Sequence, residues 1–228
     1  EVVPHILCGG FSKHEIEQML IDYSFLGLSN VFALRGDPLK GEKNFVPHAI
    51  GHQNATGLVQ QIQDLNQGKY LDHPDIGAHH TNFSVGVAGY PEKHSESPEM
   101  DTDLMFLKGK VDAGADYIVT QMFYDNKKYF DFVQRCRSIG ITVPIIPGIN
   151  PFANFNHLRV LPQLFHIELP QALVNEVNLC KTNKEVNQVG VEWAVAQCRE
   201  LKKAGVPVIH FFTMSEPTNV RNIIKQVF

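Results

Sequence analysis

Hydrophobic positions follow two alternating patterns along the chain. Short runs rich in Val and Ile lie near residues 3–8, 30–35, 83–89, 117–123, 143–149 and 206–213. Their nearly unbroken apolar character is that of parallel strands buried on both faces. Between these runs, apolar residues recur at helical spacing. Leu58, Ile62 and Leu65 share one face, and Phe130, Val133, Cys136 and Ile139 share another. Ser12-Lys13-His14-Glu15 has the form of a capping box, in which serine and glutamate side chains each satisfy a backbone N–H at a helix start. Four times a helical stretch ends in glycine before a β-branched run, at Gly27, Gly114, Gly140 and Gly205. Glycine just past a helix end takes the left-handed conformation that other residues resist. The stretch 38–53 reads as a long loop, and 168–204 as one extended helical crossover before the last strand.

Strand and helix in alternation predict an α/β fold, a parallel sheet with helical crossovers, as one domain over residues 1–228. Two closures fit six strands. One is an open doubly wound sheet, and the other is a (β/α)8 TIM barrel lacking its first two βα units. A doubly wound sheet normally carries Gly-x-Gly-x-x-Gly after an early strand, and the sequence has no such run. The chain opens on a strand-like run without a methionine, Glu1-Val2-Val3, which favours the incomplete barrel. An arc of six strands exposes edges and apolar surface, so the chain by itself is expected to be unstable or poorly soluble.

Composition narrows the function. The chain has 228 residues, 43% of them hydrophobic, enough for a sizeable core. Its net charge is -4 and no basic patch stands out, so nucleic acid is not expected as a partner. No apolar run is long enough to span a bilayer, so no membrane partner is expected either. Cys8, Cys136, Cys180 and Cys198 are scattered without a Cys-x-x-Cys pair, which reads as free thiols in a reducing cytoplasm. Eleven histidines include no His-x-His and no His-Glu-x-x-His, so no metal is expected. A Gly-x-Ser-x-Gly elbow, the mark of many hydrolases, is missing too.

Barrel active sites lie at the carboxyl ends of the strands. The strand exits of this chain gather polar and special-backbone residues. Cys8-Gly9-Gly10 follows the first strand, which contains His5, and Arg35-Gly36-Asp37-Pro38 follows the second. Arg35 and Asp37 share one side of an extended chain by the period of two, and Gly36 permits close approach of a ligand to the backbone. Tyr90-Pro91-Glu92-Lys93-His94 follows the third strand, with Lys93 and His94 as donors for an anion and Tyr90 as an aromatic face. Asp103 and Lys110, two turns apart, can share one side of a helix. Gln121, buried by its position in a Val/Ile strand, needs hydrogen-bond partners.

The blocks "ALRGDP", "FSVGVAGYPEKH", "LKGKVDAGADYIVTQMFYDN", "VPIIPGINP" and "GVPVIHFFTM", in this order and spacing, closely resemble the methylenetetrahydrofolate reductases. The resemblance runs along nearly the whole chain and looks closest to the bacterial catalytic domain. It implies a (β/α)8 barrel that binds FAD and works by ping-pong exchange. NADH or NADPH reduces the flavin, and 5,10-methylenetetrahydrofolate is then reduced to 5-methyltetrahydrofolate, which feeds methionine synthesis. A cytoplasmic homo-oligomer is expected. The resemblance assigns FAD contacts to His5, Arg35, Gly36, Asp37, Ala55, Tyr90, His94, Asp103 and Lys110. It gives Asp37 a charge-tuning role beside flavin and folate, and assigns folate contacts to Asp37, Gln121 and His157.

The sequence departs from the family pattern at several points. The general-acid glutamate of the family belongs to a strand expected upstream of Glu1. A basic residue expected beside the pyrophosphate is Gly109, the family's Tyr-Ala is Asn54-Ala55, a glutamine near the folate tail is His157, and a basic residue near the folate carboxylates aligns with Glu216. Two other readings remain at this stage: another FAD-dependent barrel oxidoreductase of the proline-dehydrogenase kind, and an inactive fragment.

Overall fold

The structure, a computed structural model, describes residues 2–38, 41–42, 44–72, 79–214 and 217–228. Among these, six strands alternate with eight helices. In chain order they are β1 (His5–Leu7), α1 (Lys13–Phe25), β2 (Asn30–Leu34), α2 (Ala55–Asn66), β3 (Ser84–Gly89), α3 (Met100–Asp112) and β4 (Tyr117–Met122), then α4 (Asn126–Ser138), β5 (Ile145–Ile149), α5 (His157–Phe165), α6 (Gln171–Leu179), α7 (Asn183–Lys203), β6 (His210–Phe211) and α8 (Pro217–Val227). The sheet is parallel and its strand order is the chain order, β1 to β6. A doubly wound sheet reverses its order at a switch point, whereas sequential order is that of a (β/α) barrel. The α/β class and the barrel reading therefore hold.

Several local expectations are met. Ser12 caps α1 and Glu15 reaches back to the Ser12 N–H at 2.8 Å, completing the capping box. Gly27, Gly114, Gly140 and Gly205 all have positive φ at helix ends. Leu58, Ile62 and Leu65 are fully buried on α2.

Other boundaries differ, each for a physical reason. The apolar run 206–213 forms strand only at His210–Phe211, because Pro207 has no N–H to give and the Val206 N–H caps α7 through Leu201 O. The stretch 168–204 is not one helix. It breaks between α6 and α7, where Thr182 begins α7 by accepting from Glu185 N. On α4 the buried stripe is Asn126, Tyr129, Phe132 and Cys136, one position away from Phe130 and Val133. Tyr129 wins the core position because its ring stacks on Phe123 and its hydroxyl donates to Ile145 O at 2.8 Å.

The chain divides into two compact units. The first comprises Glu1–Ala88, Met105–Ile118 and Ile141–Pro144. Its core joins Ile6, Val31, Ala33, Val85 and Val87 of the strands to Ile16 and Leu20 of α1 and the α2 stripe. The second comprises Gly89–Leu104, Val119–Gly140 and Ile145–Phe228. Its core includes Met122, Tyr124, Phe152, Leu161, Leu173, Val177 and Val186. Among the described residues, no helix is long and apolar enough to cross a membrane.

Candidate active site

In the first unit the exits of β1 and β2 meet. Cys8 N donates to Leu34 O at 3.0 Å and Gly9 N to Arg35 O at 3.1 Å, so the two chains stay paired beyond the strands. Gly36 has φ +90°, a conformation that requires glycine, and an added Cβ would find its nearest atom, Leu7 Cβ, at 3.8 Å. The glycine therefore turns the backbone, and a Cβ there would be strained by its conformation rather than by its neighbours. The Arg35 guanidinium lies 4.8 Å from the centroid of Phe45, an aromatic contact that sequence reasoning missed in the loop after β2. Asp37 is exposed, and its carboxylate has no hydrogen bond or ion pair with another described residue. The buried Cys8 thiol is pushed up to about 12 by desolvation, against the pull of the nearby Arg35 charge.

Further residues of this unit present donors or an aromatic wall. The Lys110 ammonium donates to Ala88 O at 2.6 Å, at the end of β3. His5 is exposed, with its ring 5.2 Å from Phe32, and Phe32 lies 6.4 Å from Tyr117. A Cβ on Gly86 would come within 2.5 Å of both aromatic rings, so glycine lets this row pack across the strands. Neither Phe32 nor Tyr117 stood out in the sequence, where each is one apolar letter in a strand. Ala55 opens α2, and Asn54, where the resemblance leads one to expect tyrosine, caps that helix by accepting from Gly57 N at 3.1 Å.

In the second unit the loop after β3 carries Tyr90 and His94 as a T-shaped pair, ring centroids 4.8 Å apart. His94 Nδ1 accepts from Glu96 N at 3.1 Å, so the proton of the neutral ring sits on Nε2. Lys93, expected as a donor for an anion, has a donor engaged within its own loop. Its ammonium turns back on the loop and donates to Ser97 O at 2.7 Å. Asp103 is buried and accepts from Ser97 Oγ at 2.8 Å, which ties the loop to the start of α3. Gln121 is half-buried rather than buried, because it lies on the less covered face of β4, and its Oε1 accepts from Met122 N. His157 begins α5. Its Nδ1 accepts from Ala153 N at 3.2 Å, its ring packs edge-on against Phe152, and burial pulls its pKa below the ordinary value. Glu216 lies outside the described residues.

The donor set would suit an anionic group. Arg35 and Lys110 bring positive charge to strand exits, and the left-handed backbone at Gly36 lets the chain turn beside Arg35. No group of three or more metal-ligating side chains occurs among the described residues.

The family model of methylenetetrahydrofolate reductase matches residues 1–228. A probable methylenetetrahydrofolate reductase (NADH) of Oryza sativa subsp. japonica is 34% identical over 237 residues, covering 100% of this chain and 38% of its own length. A probable methylenetetrahydrofolate reductase (NADPH) of Caenorhabditis elegans is 33% identical, covering 98% of this chain and 32% of its own length. The 5,10-methylenetetrahydrofolate reductase of Salmonella typhimurium is 31% identical, covering 94% of this chain and 66% of its own length. The chain thus spans about a third of the length of its plant and nematode relatives. A solved structure of a Clostridium thermocellum protein, described as binding two copies of 5-methyl-5,6,7,8-tetrahydrofolic acid, superposes with TM-score 0.59 at 17% identity. It covers 99% of this chain and 71% of that one, a likeness that bears on the fold alone. With the match running from the first residue to the last, the chain belongs to the methylenetetrahydrofolate reductase family.

Proposed function

We propose that this chain carries catalytic machinery for reducing 5,10-methylenetetrahydrofolate to 5-methyltetrahydrofolate with NADH or NADPH, the product serving methionine synthesis. When bound, FAD supplies the hydride chemistry, accepting from the nicotinamide and giving to the folate in turn. The protein's own residues hold and tune. By the family resemblance, His5, Arg35, Gly36, Asp37, Ala55, Tyr90, His94, Asp103 and Lys110 are the residues that would hold the flavin. Gln121 and His157 receive the folate. His157 does so as an Nε2–H donor, since its Nδ1 is engaged with Ala153. The observation that carries this reading is the exposed Asp37 carboxylate beside the left-handed turn at Gly36. A negative charge there favours cationic character on the folate as its methylene carbon becomes electrophilic.

The test is made on the full-length protein. A flavin absorption spectrum and turnover with NADH or NADPH and the folate are expected. Asp37→Asn is expected to slow reduction of the folate by about 10-fold to 100-fold, the range set by losing one charge contact. The same change should leave reduction by the nicotinamide within a few-fold. Equal slowing of the two half-reactions would remove the charge argument, and a colourless protein that takes up no added FAD would overturn the reading.

A further inference from the structure

The loop after β3 pairs two of its side chains with each other and turns two back onto the protein. Tyr90 and His94 form the ring pair. Between them, Glu92 and Lys93 both turn back onto the protein. Lys93 has φ +64°, in the left-handed region where a residue with a Cβ is strained, and its ammonium is held by Ser97 O. The Glu92 side chain is only 9% exposed. Its Oε2 accepts from the Lys128 ammonium of α4 and, at 3.0 Å, from the N–H of Glu168 beyond α5. Lys128 also pairs with Glu168 at 2.6 Å. The other Glu92 oxygen, Oε1, is buried with no hydrogen-bond partner among the described residues.

This arrangement is a poor device for stability. A buried carboxylate with one oxygen unsatisfied carries a desolvation penalty that an apolar side chain of similar volume would avoid. Burial accordingly raises the Glu92 pKa even though Lys128 opposes the shift. Direction is what such a pair supplies and apolar packing does not. Two donors converge on one oxygen and fix where the loop backbone passes, two residues from each ring. Asp131 and Arg135 of α4 line the same cleft, and Arg135 lies 3.8 Å from Asp101 of α3. Their charges surround the tether without replacing it, since neither donates to Glu92.

We propose that Glu92 is a positioning residue. Its tether to Lys128 and to the Glu168 N–H holds the strained turn at Lys93, and through it the Tyr90–His94 ring pair and the Nε2–H form of His94. For its functional consequence the proposal rests on the reading of Tyr90 and His94 as flavin contacts. Its geometry stands without that reading.

The experiment uses full-length protein labelled with nitrogen-15 histidine, with His94 assigned through a His94→Gln variant. In the wild type, His94 is expected as a single Nε2–H tautomer shifted by the Tyr90 ring. In Glu92→Ala the tautomers should mix and the ring shift should be lost while the thermal midpoint stays near the wild-type value. The FAD dissociation constant should rise about tenfold, the loss expected for one charge-assisted contact. Glu92→Gln keeps an acceptor for the Glu168 N–H and should recover most of the His94 signal, which a merely structural loss would not. If Glu92→Ala does not fold, Lys128→Met asks the same question with Glu92 in place. An unchanged His94 signal in either folded variant overturns the proposal. A disturbed His94 with unchanged FAD affinity upholds the tether and overturns the flavin reading of the ring pair.

Discussion

Gly109 and Gly190 both lie inside helices, and their surroundings are opposite. A Cβ on Gly109 of α3 would meet only Thr56 Oγ1, at 3.8 Å, an ordinary contact. Glycine inside a helix loses backbone entropy with nothing in return, so Gly109→Ala should stabilise the fold by about 0.5–1 kcal/mol. The measurement is a urea transition with a higher midpoint and unchanged slope. Gly109→Arg should keep most of that gain and, on the flavin reading, tighten FAD binding by restoring the positive charge expected there. A Cβ on Gly190 of α7 would lie 1.7 Å from Phe152 O, a backbone atom that yields only if the chain moves. Gly190→Ala should therefore destabilise by roughly 3 kcal/mol, the upper range for overpacking, read as a lower urea midpoint. In the sequence the two glycines look alike, each a single Gly in a helical stretch. Nothing local distinguishes an open helix face from one crossed by another segment's backbone. Asn54 and His157 are similar cases at the site. Their departure from the family was visible in the sequence, but their jobs as helix cap and hydrogen-bond acceptor were not.

Between elements, the clearest titration-sensitive contact joins α2 to the segment before it. His52 is buried, and its Nε2–H donates to Gln61 Oε1. The Gln61 amide is oriented by its own donation to Lys13 O at 2.9 Å, and Lys13 N donates to Ile50 O at 3.2 Å. One imidazole thus ties the 48–53 segment to both α1 and α2. Burial lowers its pKa from the ordinary 6.5, the Gln61 bond opposes the shift and the Lys13 charge adds to it. Below pH 6.5 the unfolded chain binds this proton more readily than the folded one. The contribution of His52 is therefore whole above that pH and lost as the pH falls below it. Stability should decline from about pH 7 to about pH 5, and His52→Gln should flatten the decline. Urea transitions of both proteins across this range check it, and identical slopes would assign the decline to other groups. Ser12→Ala, which removes one half of the α1 capping box, should cost about 1 kcal/mol at any of these pH values. That box could be read from four letters because its chemistry is local. The stripe of α4 could not, because the choice of Tyr129 over Phe130 depends on Ile145 O, which is far away in the sequence.

At the scale of the whole molecule, the alternation of elements and their sequential parallel order were legible because helix-glycine-strand joins and Val/Ile runs are strong local signals. The strand exits were legible too, once the order was taken to be that of a barrel. What stayed hidden was which side chains turn outward: Lys93 folds inward, Gln121 is half-open, and the aromatic row of His5, Phe32 and Tyr117 exists only after strands are paired. The four cysteines test the packing as a whole. All are free; Cys8, Cys136 and Cys198 are buried, and Cys180 lies partly open at the end of α6. Burial pushes each of the three buried thiols up to about 12. A thiol reacts as its thiolate, so these three are protected twice, by low ionisation and by closed packing. Cys180 has a raised pKa as well, but a reagent can reach it. In native protein near pH 8, a thiol reagent should modify Cys180 first. The buried three should follow only through opening of the fold, at rates lower by about three orders of magnitude or more. Peptide mapping of the labelled chain over time makes the measurement. Denaturant should bring all four to a common rate, because the difference lies in the packing and not in the cysteines. Early labelling of Cys136 or Cys198 would mean that α4 or α7 opens far more readily than its buried face implies.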